Sequence, residues 1–114
     1  MKKFKKDIVK ILEDNAFVIG EITKQSNGIY VDLNQSTDLG EDWCITIFFD
    51  GTNNDFIKEF YKYAYDFDID EEVEIYVENR GKNGIPNSIV DLVEDAKWKQ
   101  KTLEETADEL WNLL

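Results

Sequence analysis

Residues 66–78 read DFDIDEEVEIYVE, with carboxylates at Asp66, Asp68, Asp70, Glu72, Glu74 and Glu78, and with Phe67, Ile69, Glu71, Val73, Ile75 and Val77 between them. A strand sends successive side chains to opposite faces, so residues two apart share a face. On that reading a strand over roughly residues 71–79 sends Val73, Ile75 and Val77 into the core. Glu72, Glu74, Tyr76 and Glu78 line its wet face, and Asp66, Asp68 and Asp70 carry the acids back through the preceding loop. A half-buried strand with one solvated face is the plain explanation. Wet faces ordinarily mix charge signs, because adjacent like charges repel. This one carries no lysine, which marks it as a candidate partner-binding surface. Acids at i and i+2 on a strand lie about 6.6–6.8 Å apart. That is about half the axial charge density of a DNA strand, which has a phosphate per ~3.4 Å. Such an array suits a groove built for phosphates, with aromatic side chains such as Tyr76 as apolar anchors.

The flanking sequence supplies the rest of the domain. Phe4, Ile8, Ile11 and Leu12 keep helical spacing over residues 3–14. Phe17 to Thr23 reads as a strand and Ser26-Asn27-Gly28 as a turn of residues that accept positive φ. In the return strand Ile29, Val31 and Leu33 alternate with Tyr30, Asp32 and Asn34. After the polar loop 37–42, Trp43 to Phe49 is a third strand, apolar enough to be central. Asn53 or Asn54 caps a helix carrying Phe56, Ile57, Phe60, Ala64 and Phe67. Past the Arg80–Gly84 loop and Pro86, Asn87 or Ser88 starts a last helix whose stripe is Leu92, Val93, Ala96, Leu103, Ala107, Leu110, Trp111 and Leu114. The order is α-β-β-β-α-β-α. The expected fold is a single α+β domain, with a mainly antiparallel four-stranded sheet packed with helices on one face.

Trp98 falls ~200° around that last helix from Ala96, beside Lys97, Lys99 and Lys101. Two explanations compete. The helix breaks near Lys101, with Thr102 and Glu105 forming a second capping box that re-aims Trp98 inward. Alternatively the helix is continuous and Trp98 anchors a partner or a second copy of the chain. The start signal Thr102-Leu103-Glu104-Glu105 favours the break.

The 114 residues are one domain's worth, and 42% apolar with 13% aromatic content suits a packed core. Cys44, the only cysteine, sits in the run WCITIFF, where a buried structural thiol is expected and no intrachain disulfide is possible. The basic N-terminus lacks a signal peptide's apolar region, since Asp7, Lys10, Glu13 and Asp14 interrupt it. No stretch reaches ~18 apolar residues, so no membrane span is expected. A reducing cytoplasm is the expected location. Net charge is −12, and residues 32–78 hold that whole excess, with fourteen acids against Lys58 and Lys62. Such a field disfavours direct binding to nucleic acid or an anionic membrane and points to a basic partner.

Catalytic motifs are weak. The chain has no histidine, and its one thiol has no imidazole to activate it. Asp66-x-Asp68-x-Asp70 opens like a calcium loop, but Glu71 and Val77 stand where glycine and glutamate are required. Gly81-Lys82-Asn83-Gly84 lacks the full spacing of a phosphate loop. No enzyme activity, metal or cofactor is expected. The candidate partner-binding set is Asp66, Asp68, Asp70, Glu72, Glu74, Tyr76 and Glu78, joined by Glu41, Asp42 and Trp98.

From residue 49 the pattern Phe49-Asp50-Gly51, Phe67-Asp68-Ile69-Asp70-Glu71 with Val73-Glu74, Arg80, Gly84-Ile85-Pro86-x-Ser88 and an acidic, leucine-bearing tail covers about half the chain. It resembles small acidic proteins carried by phages and conjugative elements of Gram-positive bacteria, which include anti-CRISPR and anti-restriction inhibitors. The resemblance implies an inhibitor; joined to the acidic stripe it gives the expectation of a stoichiometric inhibitor that mimics nucleic acid in the basic groove of a host defence nuclease, a CRISPR effector foremost. An immunity protein against a basic nuclease toxin, and an accessory interaction protein of a mobile element, are the alternatives.

Overall fold

The computed structural model describes residues 4–36, 42–79 and 89–114. Helix α1 (Lys6–Asp14) is followed by strands β1 (Val18–Gln25), β2 (Gly28–Ser36) and β3 (Asp42–Phe49). Helices α2 (Asn53–Tyr65), α3 (Ile69–Asn79) and α4 (Ile89–Trp111) complete the chain. The α+β class holds. The fourth strand does not, because residues 69–79 are a helix and the sheet is three-stranded, in the order β1-β2-β3 with both pairings antiparallel. The element order is therefore α-β-β-β-α-α-α.

The ends of residues 66–79 explain the correction. Asp68 stands just before α3, and its Oδ1 accepts from the backbone N–H of Asp70 (2.9 Å) and Glu71 (3.3 Å). Those are the orphan donors that an N-cap side chain satisfies. Asp70, Glu71 and Glu72 then occupy the first turn, where negative charge meets the positive end of the helix dipole. Ile69 and Val73, four residues apart, are both half-buried, as one helix face requires. Alternation of acids and apolar residues was thus compatible with two periods, and the cap and the dipole favour the helical one.

The sheet buries one face. Ile29, Val31 and Leu33 of β2 and Trp43, Ile45, Ile47 and Phe49 of β3 meet Phe56, Ile57, Phe60 and Ala64 of α2, Leu103, Ala107 and Leu110 of α4, and Ile8 and Leu12 of α1. Packed rings run through this core, Phe4–Phe56 at 4.7 Å and Phe49–Phe56 at 5.3 Å between centroids. The central strand is β2. The third strand, expected at the centre, is an edge among the described strands, because it pairs with β2 alone; one-sided burial is shared by β2 and does not distinguish a central strand from an edge. Cys44, Thr46 and Phe48 alternate with them and are exposed, so Cys44 is not the buried thiol expected. Partial burial, then the charge of Asp32, push its pKa up.

Local chemistry sets the connections. Helix α1 ends in a Schellman motif, with Phe17 N–H donating to Leu12 C=O and Ala16 N–H to Glu13 C=O, both at 2.9 Å. Ala16 takes φ 67°, a conformation that glycine usually fills. The Ser26-Asn27 turn uses no positive φ. Gly28 is needed there for another reason: a Cβ on it would lie 2.6 Å from the Phe49 carbonyl oxygen. The cap of α2 is Thr52 rather than Asn53 or Asn54, its Oγ1 accepting from Asp55 N–H at 3.2 Å. Asp50 accepts from both the hydroxyl and the N–H of Thr52, and these bonds lower its pKa.

Helix α4 runs unbroken past Lys101. Thr102 sits inside it, its C=O accepting from the Thr106 hydroxyl at 2.7 Å, so Thr102 and Glu105 form no second cap. Leu92, Ala96, Leu103, Ala107 and Leu110 are buried as expected. Trp111 is partly exposed, its ring tilted against that of Tyr61 with centroids 4.5 Å apart, and Leu114 is exposed. The expected Asn87 or Ser88 cap and the Arg80–Gly84 loop lie outside the described residues.

Candidate functional site

The helical form of residues 69–79 redistributes the expected stripe. Asp66 is the C-cap of α2 and Asp68 the N-cap of α3. Asp70 and Glu74 are exposed and, four residues apart, share one side of α3 about 6 Å apart along its axis. Glu72 is half-buried and points instead toward α4. Tyr76 and Glu78 lie within α3, and Asp42 begins β3, but their side chains are outside the described set, as is Glu41 altogether. Trp98 is half-buried on the continuous α4. The strand spacing of 6.6–6.8 Å therefore does not exist here, and the acids do not form one flat face.

The structure assembles some of these acids around a cleft of about 540 Å³ between the β3 edge and the α2–α3 elbow. This volume lies within the range of ligand-binding clefts. Thr46, Ile47 and Phe48 of β3 form one wall. Glu59, Lys62, Tyr63 and Asp66 come from α2, and Phe67, Asp68, Glu71 and Glu72 from the elbow and α3. Five carboxylates thus face a single cation, Lys62, among the lining residues. Glu59 and Glu71 were absent from the expected set. Glu59 was missed because its place opposite β3 depends on helix packing, and Glu71 because a strand would turn it inward.

Behind this cleft lies a buried ion cluster. Lys99 of α4 is 0% exposed, with its Nζ 2.9 Å from Glu72 Oε1 and 3.4 Å from Asp95 Oδ2. It also stands 5.4 Å from the centre of the Trp43 ring, within cation–π range. The stripe of α4 already contained this information. Leu92, Asp95, Ala96, Lys99, Leu103 and Thr106 are all buried at helical spacing, yet charge made Lys99 read as solvated. The cluster fastens α3 to α4 through Glu72 and so sets the elbow that forms the cleft wall. Tyr63 lines the cleft, and partial burial followed by the charge of Glu72 raises its phenol pKa.

Among the described residues no group of acids and thiol is arranged to hold a metal ion, and no helix is long and apolar enough to cross a membrane. Chemically, the site offers carboxylate acceptors, aromatic walls and a strand edge. Comparison of the chain with protein-family models, curated proteins and solved structures found no match.

Proposed function

We propose that this chain is a non-enzymatic, acidic inhibitor that acts stoichiometrically in the cytoplasm of a bacterial host cell. Its target is the basic nucleic-acid groove of a defence nuclease, of the CRISPR-effector class, in the manner of the anti-CRISPR and anti-restriction proteins its sequence resembles. The observation that carries this reading is the cleft rim, where Glu59, Asp66, Asp68 and Glu71 stand against Lys62 alone among the lining residues, Glu72 being paired with Lys99 behind them. Exposed Asp70 and Glu74 extend the negative surface along α3. With residues 32–78 contributing −12, a positively lined groove is steered toward this side of the molecule and competing nucleic acid is repelled. The mimicry lies in charge and not in a phosphate-like repeat, since the acids radiate from a helix and an elbow.

The test is a DNA-cleavage assay with a purified CRISPR effector of a Gram-positive host and increasing amounts of the chain. Inhibition should saturate near one chain per effector and weaken as salt is raised. The Glu59→Gln/Asp66→Asn/Glu71→Gln variant should fold normally and inhibit at least about tenfold less well, since charge pairs at protein interfaces each couple by roughly 1.5 kcal/mol or more. Cleavage that proceeds unchanged in the presence of excess chain would refute the inhibitor reading.

A further inference from the structure

The acidic cleft has one wall that charge does not explain. It is made by Thr46, Ile47 and Phe48 of β3, and β3 pairs with β2 alone among the described strands. An edge strand presents unpaired N–H and C=O groups at every second residue, a ready template for another strand. Proteins commonly blunt such edges with lysine or proline or cover them with a helix. The segment Trp43-Cys44-Ile45-Thr46-Ile47-Phe48-Phe49 contains neither lysine nor proline. Helix α2 covers the buried face of β3, while along Thr46–Phe48 the cleft separates the strand from Glu59, Asp66 and Glu71.

We infer that the cleft takes an extended, lysine- or arginine-bearing segment of the partner, which adds to the sheet as a fourth strand along the free edge of β3. This rests on the acidic-inhibitor reading for the sign of the partner's charge and adds to it the mode of binding. A strand added here lies about 4.7–4.9 Å from β3, in the space between β3 and the α2–α3 elbow. Its alternate side chains on the helix side, about 6.6–6.8 Å apart, meet Glu59 and Asp66 from α2 and Glu71 from α3. Main-chain hydrogen bonds to β3 supply sequence-independent affinity, and the carboxylates select the basic residues at every second position. Phe48, exposed at the cleft, offers apolar contact beside them. The two observations are independent, because the open edge follows from sheet topology and the charge from the helices.

The probe is a capped, fluorescein-labelled octapeptide of alternating lysine and valine, whose binding to the intact chain is followed by fluorescence anisotropy at low salt. Two further peptides carry N-methyl groups on all lysine nitrogens or on all valine nitrogens. In an added strand only one of these alternate sets points at β3. One methylated peptide should therefore lose at least about tenfold in affinity through several lost main-chain bonds, while the other stays within about threefold. Glu59→Gln/Glu71→Gln should weaken the parent peptide, and the charge-matched Glu13→Gln/Glu21→Gln, away from the cleft, should not. Equal binding of both methylated peptides overturns strand addition while leaving electrostatic capture of a basic partner intact. Equal loss in the two glutamine variants overturns the cleft as the site. No binding of the parent peptide overturns the inference as a whole, whereas the effector-cleavage assay tests the inhibitor reading separately.

Discussion

Lys99→Met removes a charge while keeping the length of the aliphatic stem, so it isolates the ion cluster from packing. In the native protein the ammonium has no solvent exposure and is held by Glu72 at 2.9 Å, Asp95 at 3.4 Å and the Trp43 ring at 5.4 Å. Asp95 has a side chain only 3% exposed, so the substitution strips a buried carboxylate of its cation. Breaking a buried pair from one side costs about 3–5 kcal/mol. Against a total stability of about 5–15 kcal/mol for a domain, Lys99→Met should leave a marginal fold. Glu72 is 20% exposed, and in Glu72→Gln the ammonium keeps Asp95, so that change should cost less, about 1.5–3 kcal/mol. Replacing the whole cluster by apolar residues, Lys99→Met with Asp95→Leu and Glu72→Met, should recover most of the loss, because well-packed apolar substitutes are often neutral or better. The assay is urea unfolding followed by tryptophan fluorescence, with Trp43 as a reporter beside the cluster and an unchanged m-value as the check on two-state behaviour. A Lys99→Met cost below about 1 kcal/mol, or a triple variant no more stable than Lys99→Met, would refute the reasoning.

Three further outcomes follow from local geometry. The Tyr65 hydroxyl donates to Asp108 Oδ1 at 2.6 Å, and this bond pushes the phenol up to about 12. The folded pKa lies above the ordinary 10.0, so the contribution to stability is complete below that pH and is lost as pH rises toward 12. Ultraviolet titration should show a tyrosine step displaced toward pH 12, and Asp108→Asn should return that step toward the ordinary range while leaving the raised Tyr63 in place. Ala16→Gly should raise stability by about 0.5–1 kcal/mol, because the left-handed φ of 67° costs alanine about 1–2 kcal/mol, offset in part by glycine's entropy; a lower urea midpoint would contradict it. Asp68→Ala should cost about 1 kcal/mol as a lost N-cap and speed amide exchange at Asp70 and Glu71, whose N–H groups lose their acceptor.

Much of the fold was legible in the sequence because its signals were local. The 3.6-residue spacing of Ile8 and Leu12 and of Phe56, Phe60 and Ala64, and the two-residue alternation through β2 and β3, specify type and buried face without knowledge of neighbours. The acidity of the middle third needed only counting. Residues 66–78 were different, because their pattern fits both periods. Asp68 with Glu71 carries a cap signal, but the alternation of acids with apolar residues is equally a strand pattern. Where Glu72 points, and whether β3 is central or an edge, no local signal could tell. Those were settled when α2 and α4 covered the one apolar face of the sheet and left α3 to pack on α4. A helix there brings Glu72 to a lysine that water cannot reach, and a strand would have left Lys99 and Asp95 without that second carboxylate. The same packing turned Cys44 outward and drew Glu59 toward Asp66 and Glu71, since β3's buried side was filled by Trp43, Ile45 and Ile47 and the acids of two helices were left to meet across its open edge.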